Sequence, residues 1–501
     1  MSANKSELIR WELTPYINGR VMDIGCGALK CFPHFIGVDD EQYGGRVWVD
    51  VVSDTGKLDV FSTASFDAVF SSYLLQRIAP AKLTDLIIEW ARVVKSGGHL
   101  ILYLPAVETE KQEWLPSYDS VVAAFGKLGI GWDLCDYQVR DKDGESGLFF
   151  VFRIEPGNPH RFSWKMKKPE KTCAIVRFGA QGDMIQMSSI LPWLKAEGYH
   201  VTVYCQAGLG YESVKHDPHI DRFIKLGQNQ IPPALLGEWM ADTKKKYSKW
   251  VNLCESVEGT LLAAPGRANW EWPNELRAKY MDRNYVEWTH ELAGVPPPYQ
   301  PKFCSTLEER AWAKDKARSY GRRNILWSLS GSSGHKVWPH LDAVVAAVML
   351  HLPDTHIVMV GDELCQVLEV GWEGERRVHR QSGKWTIRQS MAFAEQADLL
   401  IGTETGLLNA MGHADTSKII TLSHSSHEML TKHWKNTIVL EQENGCHKHP
   451  CRQLHGHGGV DAWADCPRHD ETGTALCQFN VTPDRMFEAI VKSLGSERMA
   501  A

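Results

Sequence analysis

Repeatedly along the chain a short apolar run ends in a glycine-bearing turn and passes into a helical pattern. Parallel strands need crossovers of that kind, and strands covered by helices on both faces read as continuous apolar runs. The pattern predicts an α/β protein of doubly wound units, not a sandwich or a bundle. At 501 residues the chain has room for about three such cores. No apolar run approaches the ~20 residues that cross a bilayer, so no membrane span is expected. The start, MSANKSELIRWELTPYI, lacks the basic-then-apolar layout of a signal peptide, which leads to an expected cytoplasmic location. The formal net charge is −6, and KMKK at 165–168 and KKK at 244–246 are short enough to be solvated faces. That balance argues against an extended nucleic-acid surface without excluding a local basic groove.

The first unit, residues 1–156, carries strand candidates RVMDIG, FIGVDD, FDAVFSS and GGHLILYLP, with a closing pair DLCDYQVR and LFFVFRIE. Residues 157–170 combine Pro, Gly and Lys without periodicity and read as a linker. Asp23, Gly25 and Gly27 end the first strand, where glycines let a ligand approach the backbone, and Asp39 ends the second, where a carboxylate can bind a ribose. In this order the segments resemble the class I S-adenosylmethionine-dependent methyltransferases over residues 10–154. The resemblance implies S-adenosylmethionine as the donor, with Gly25 and Gly27 beside its methionine portion and Asp39 at its ribose. The chain departs from the family at Leu29, where a third glycine falls. It departs again at Tyr73 and Gln76-Arg77, where a His and a Glu-His pair are usual. Three readings stay open for this unit: a degenerate domain kept for packing, an active methyltransferase working through positioning, or a donor binder.

Two further units, 171–300 and 301–501, meet at the Pro-rich GVPPPYQP. In the former, Gly179, Gly182 and Asp183 form a strand-to-helix turn, FGAQGD, directly after CAIVR. A carboxylate there can take the proton from an acceptor hydroxyl, or can simply be favoured by the helix dipole. Asn252, Glu255 and Glu258 follow the strand KWVNL and either meet an acceptor or begin a solvated helix. In the latter unit, Gly331, Ser332, Ser333 and Lys336 make a small-residue turn with one cation, a cradle for phosphate oxygens. Glu404, Thr405, Gly406 and Asn409 form a second strand-end turn suited to a sugar or ribose. Ser423, His424, Ser425 and Lys432 form a third, read either as a donor contact or as a capped helix.

In order and spacing these turns resemble glycosyltransferase family nine, the ADP-heptose:lipopolysaccharide heptosyltransferases, over residues 171–495. The resemblance implies a GT-B pair of Rossmann-like domains and an inverting reaction without a catalytic metal. Asp183 would be the base, and Lys336, in Lys336-Val337-Trp338-Pro339, a diphosphate ligand. The donor would be a nucleotide sugar, with ADP as its nucleotide. Glu404 and Asn409 stand where the family has Asp and His, which leaves heptose unassured. The acceptor is left as a glycan, a protein or a modified nucleic acid; the fusion resembles phage-encoded modification enzymes, and oligomerisation is left open. The competing readings are a non-catalytic binding or assembly protein with both folds, and a methyltransferase whose second part only binds glycan.

Four of the 12 cysteines cluster within 446–477: Cys446, Cys451, Cys466 and Cys477. Two ligands close in sequence and two distant ones can close a tetrahedral zinc or iron site; two disulfides and free thiols are the alternatives. The insert resembles the four-cysteine iron-binding finger of autotransporter heptosyltransferases, which implies a structural metal.

Overall fold

The computed structural model describes residues 5–40, 49–107, 114–142, 145–155, 170–208, 210–228, 230–455 and 465–495. The expected linker at 157–170 lies, apart from Glu170, outside them. The chain forms two compact units, one of Met1–Glu170 with Ile224–Lys246 and one of Lys171–Phe223 with Tyr247–Ala501.

The first unit is built on β1 (Val21–Ile24), β2 (Ile36–Asp39), β3 (Val51–Val52), β4 (Phe66–Ser72), β5 (Val94–Pro105), β6 (Gly131–Lys142) and β7 (Glu145–Glu155). Their order is β3-β2-β1-β4-β5-β7-β6. β1 pairs in parallel with β2 and β4, and β4 with β5, whereas β7 runs antiparallel to β5 and β6. Strand order therefore reverses between β1 and β4, and such a switch point opens a crevice at the carboxyl ends of the strands. Gly25 and Gly27 sit at that end of β1. Met22, Ile24, Val69, Leu100 and Leu102 are fully buried in the core, together with Trp90. Residues Ile224–Lys246, distant in sequence, belong here by side-chain packing. Trp239 is fully buried, Gln230 Nε2 donates to the Thr14 carbonyl at 2.9 Å, and Trp11 Nε1 donates to Glu238 at 3.2 Å.

The second unit contains two parallel sheets. One holds β8 (Thr172–Val176), β9 (His200–Gln206), β10 (Arg222–Leu226) and β11 (Lys249–Asn252), in the order β10-β9-β8-β11, with the unit boundary falling inside β10. The other holds β12 (Arg323–Ser328), β13 (Thr355–Val360), β14 (Val378–Arg380), β15 (Leu399–Gly402), β16 (Ser417–Thr421) and β17 (Thr437–Leu440), ordered β14-β13-β12-β15-β16-β17. All its pairings are parallel. Two Rossmann-like halves in one unit make this region GT-B-like. One apolar core joins them: Ile175, Met184 and Val203 from the first half share it with Met391, Leu400, Leu408 and Met411 from the second.

Two local features depart from the expected pattern. The strand runs read from sequence omit β10, β14 and β17, edge strands whose partly exposed residues break any continuous apolar run. The helix that opens after the FGAQGD turn, read from sequence as running through MIQMSSILPWLKAEG, is two, Gln181–Ser188 and Leu191–Ala196. Pro192 brings no N–H to continue the ladder. The chain tightens there into three-residue turns, Ser189 N to Gln186 O and Ile190 N to Met187 O, both 3.2 Å.

Candidate active site

β8 is apolar up to Val176 because helices cover both faces, and the next residue, Arg177, is the first charge. It is almost wholly buried, at 2% exposure. A buried guanidinium needs acceptors for its donors, and the turn after β8 supplies them. Arg177 Nη1 donates to the Leu253 carbonyl at 2.9 Å. Its Nη2 meets Asp183 Oδ1 at 2.7 Å and the two Glu258 carboxylate oxygens at 3.1 and 2.9 Å. Asp183 lies in the first turn of Gln181–Ser188, and its Oδ2 accepts from Ala180 N at 2.8 Å. Asp183 thus closes the helix end, as the helix-dipole reading expects, and carries a partly exposed carboxylate. Each of its oxygens keeps a second lone pair. Gly179 makes the arrangement possible, since a Cβ there would stand 2.5 Å from Asp183 Cβ and 3.0 Å from Arg177 Nε.

Burial, followed by the charge of Asp183, pushes the Glu258 carboxyl up to about 7, with Arg177 opposing both. One buried guanidinium thus serves two partly exposed carboxyls, and Glu258 is the one whose proton affinity is raised toward neutrality. Sequence reasoning missed Arg177. The available signal was an arginine closing an otherwise apolar strand, a position that demands buried acceptors. Of the other candidates from this half, Asn252 is exposed and accepts from Cys254 N at 3.0 Å, and Glu255 is exposed and paired with Arg267.

In the other half, Lys336 ends the Gly331–Lys336 turn, buried, its Nζ donating to the Glu404 carbonyl at 3.0 Å. Burial lowers its proton affinity, and the carboxylates of Glu404 and Asp183 oppose that. Asp183 and Lys336, drawn from the two halves, lie in each other's field. Gly331 is tight against the lysine: a Cβ would sit 2.7 Å from Lys336 Cδ and 3.4 Å from the Glu404 carbonyl. Ser332 is exposed, and Ser333 Oγ lies 2.8 Å from His335 Nδ1.

The Glu404 carboxylate faces inward. Oε1 accepts from Ser425 N at 2.9 Å, Oε2 accepts from Ser423 Oγ, and His424 Nδ1 is 3.3 Å from Oε2. Glu404 and Ser423 therefore brace two turns against each other, and the surface they offer is backbone. Thr405 caps the next helix, its side chain accepting from Leu408 N. Gly406 packs on the opposite half, where a Cβ would meet Gln181 Cβ at 2.6 Å and Gly182 N at 3.1 Å. Asn409 bridges the halves, its Oδ1 accepting from Gln186 Nε2 at 3.2 Å. Lys432 is tied to Glu428 at 2.6 Å and Glu287 at 3.0 Å, in an exposed ion-pair cluster.

In the first unit, Asp23 is buried and its Oδ2 accepts from Cys31 N at 2.7 Å; burial raises its carboxyl to about 7. Gly25 and Gly27 both have left-handed φ, 68° and 61°. Asp39 is buried, with Oδ2 accepting from Gly27 N and Oδ1 from Asp40 N, both at 2.8 Å. The carboxylate is thus already engaged on each oxygen before any ribose arrives.

Cys446, Cys451, Cys466 and Cys477 are buried and unbonded, and all four line one small cavity together with His449 and His455. Among the described residues, no group of three or more His, Cys, Asp or Glu is placed to hold a metal ion. The donor set suits a soft metal.

Residues 22–102 match the family model described as a methyltransferase domain. No curated protein matches the chain in sequence. Among solved structures, E. coli ADP-heptose LPS heptosyltransferase II is 15% identical over 65% of this chain and 98% of its own, with a TM-score of 0.46. E. coli heptosyltransferase WaaC with ADP-2-deoxy-2-fluoro heptose is 13% identical over 64% of this chain and 99% of its own, at 0.40. A SAM-dependent methyltransferase from Methanosarcina mazei is 15% identical over 28% of this chain and 92% of its own, at 0.22. At such identities no residue role passes from those proteins to this chain. The fold stands on the strand orders above. Among the described residues no helix is long and apolar enough to cross a membrane.

Proposed function

We propose that residues 171–495 transfer a sugar from a nucleotide diphosphate donor to an acceptor hydroxyl with inversion. The observation that carries the reading is the contact between the Gly182 and Gly406 turns of opposite halves, which brings the Asp183 turn beside the one whose Glu404 carbonyl holds the buried Lys336. A leaving diphosphate develops negative charge, which turn amides and a dry ammonium stabilise without reorganising. The acceptor hydroxyl gives its proton to Asp183. Its oxygen forms the new bond to the anomeric carbon, and the bond from that carbon to the diphosphate breaks, with the electron pair leaving on phosphate oxygen. Ser423 and Glu404 hold the turns that present these amides. An ADP-sugar is the first donor to test, with glycan, protein and modified nucleic acid as acceptor classes. The experiment is nucleotide release from a panel of sugar nucleotides: acceptor-dependent release supports the reading, and a protein inert toward all of them sinks it.

For the first unit the donor proposed is S-adenosylmethionine, at Gly25, Gly27 and Asp39. Calorimetry is expected to show binding at micromolar to millimolar donor, weakened in Asp39→Ala. Asp39 accepts from Gly27 N and Asp40 N and keeps a second lone pair on each oxygen for a ribose, and no heat at millimolar donor would establish the competing reading, a degenerate fold.

The four cysteines are proposed to hold structural zinc or iron, with no part in the transfer step. Bound metal would need the thiols deprotonated, against a burial that raises Cys451 to about 11 and Cys466 to about 12. Metal analysis of purified protein is expected to give near one equivalent, lost together with thermal stability in Cys466→Ser. Metal-free protein of unchanged Tm would remove the proposal.

A further inference from the structure

Arg177 has more acidic partners than one cation can neutralise. Its Nη2 is 2.7 Å from Asp183 Oδ1 and 2.9 Å from Glu258 Oε2. The carboxylates come from different elements, the helix Gln181–Ser188 and the loop after β11, and both are fixed. Asp183 is held by Ala180 N, and the Glu258 loop is pinned where Gly259 N donates to the Leu262 carbonyl at 2.7 Å. The pair therefore cannot separate to relieve a second negative charge, and the charge must be met by a proton.

We propose that Glu258 is a positioning residue for Asp183: by sharing the Arg177 guanidinium it sets how strongly Asp183 attracts the acceptor's proton. The inference rests on the transferase reading and names the regulation of that same site. When Glu258 is neutral, the whole guanidinium charge falls on Asp183, which becomes a tightly paired, weak base. When Glu258 ionises, Arg177 is divided between two carboxylates, and a second negative charge beside Asp183 raises its proton affinity. The groups facing Glu258 are Arg177 and Asp183, then Cys254 and Glu255 in its own loop and Tyr285 from the helix Tyr285–Ala293. Glu255 is already paired with Arg267, and the Cys254 thiol and Tyr285 phenol are pushed up by burial, so both stay neutral through the relevant range. Asp183 and Arg177 are left as the partners that matter.

The sign follows from the burial-raised Glu258 carboxyl, at about 7 against the ordinary glutamate range. Between those values the folded protein binds the proton and the unfolded chain does not, so stability falls as pH rises through that window. Catalysis runs the other way, because base strength appears only as Glu258 ionises. In the full-length protein, kcat/KM for transfer is expected to rise with pH along a limb near 7. Glu258→Gln is expected to stay at the wild type's low-pH level throughout, roughly 10-fold below it at pH 8, a fraction of what a general base contributes. Glu258→Asp, which keeps a carboxyl, is expected to restore the limb. Thermal unfolding gives a readout that needs no substrate: between pH 4.5 and 7 the wild type's Tm is expected to fall more steeply than that of Glu258→Gln, the difference being the Glu258 share beside that of Asp23. A Glu258→Gln enzyme that keeps the limb, or whose Tm follows the wild type across that window, overturns the proposal. A wild type inert toward every sugar nucleotide removes the transferase reading and this proposal with it, whereas an active wild type with a persisting limb removes the proposal alone.

Discussion

Asp183→Asn is expected to lower kcat for sugar transfer by about 10²- to 10⁴-fold, with a much smaller change in donor KM. Asn is close to isosteric and keeps one carbonyl oxygen, so it can still accept from either Ala180 N or Arg177, but not from both. The loss of one such bond costs about 1 kcal/mol of stability, too little to unfold the unit. What disappears is a carboxylate that combines partial exposure with a free lone pair and lies in the field of Lys336. The substitution has a second consequence inside the protein. Asp183 is one of the charges that push Glu258 up, so Asp183→Asn is expected to bring Glu258 down from about 7 toward the ordinary glutamate range. Steady-state kinetics with a saturating donor read the first effect, and proton titration of the Glu258 carboxyl reads the second. A variant that turns over at the wild-type rate would show that the acceptor proton goes elsewhere.

What could be read from the sequence was what local chemistry dictates. β8, β12 and β15 are buried on both faces and spell out continuous apolar runs, and the turns after them carry glycines because neighbours stand within 3 Å of where a side chain would begin. Asp183, Lys336, Thr405 and Gly406 follow from that grammar. The rest depends on which loops the folded chain brings together. Glu258 lies 81 positions from Arg177, and nothing near either residue announces the other. Glu404 reads as a ligand-facing carboxylate, yet it spends both oxygens on the turn at Ser423–Ser425, 19 to 21 positions away. Lys432 reads as a donor contact from its place after a strand, and its partners prove to be Glu428 one helical turn back and Glu287 from a separate helix. Charge-bearing side chains at strand ends are therefore visible to sequence reasoning as positions, while their direction is decided by tertiary pairing.

The largest loss of stability is expected from Arg177→Met, about 3–5 kcal/mol, because removing one partner strands the others in a dry site. Met fills most of the volume that the arginine stem occupies beside Gly179, so packing accounts for little of the cost. The Leu253 carbonyl loses its shorter bond and keeps only Ser256 N at 3.3 Å, and Asp183 and Glu258 face each other without the guanidinium. That electrostatic origin gives the penalty a pH signature. Above neutrality both carboxyls would be ionised and the loss is greatest. Acidification protonates first one and then the other, and the gap between variant and wild type narrows. Neutralising one carboxyl should act in the same direction, so the double variant Arg177→Met with Glu258→Gln is expected to be more stable than Arg177→Met alone, although each single change destabilises or is neutral by itself. Such coupling between contacting residues is the mark of a shared charge network, where independent sites would simply add. Thermal unfolding of the four proteins at two pH values measures it. Additive effects, or an Arg177→Met penalty that is the same at pH 5 and pH 8, would mean that the guanidinium serves packing and its bond to Leu253, and that the two acids do not depend on it.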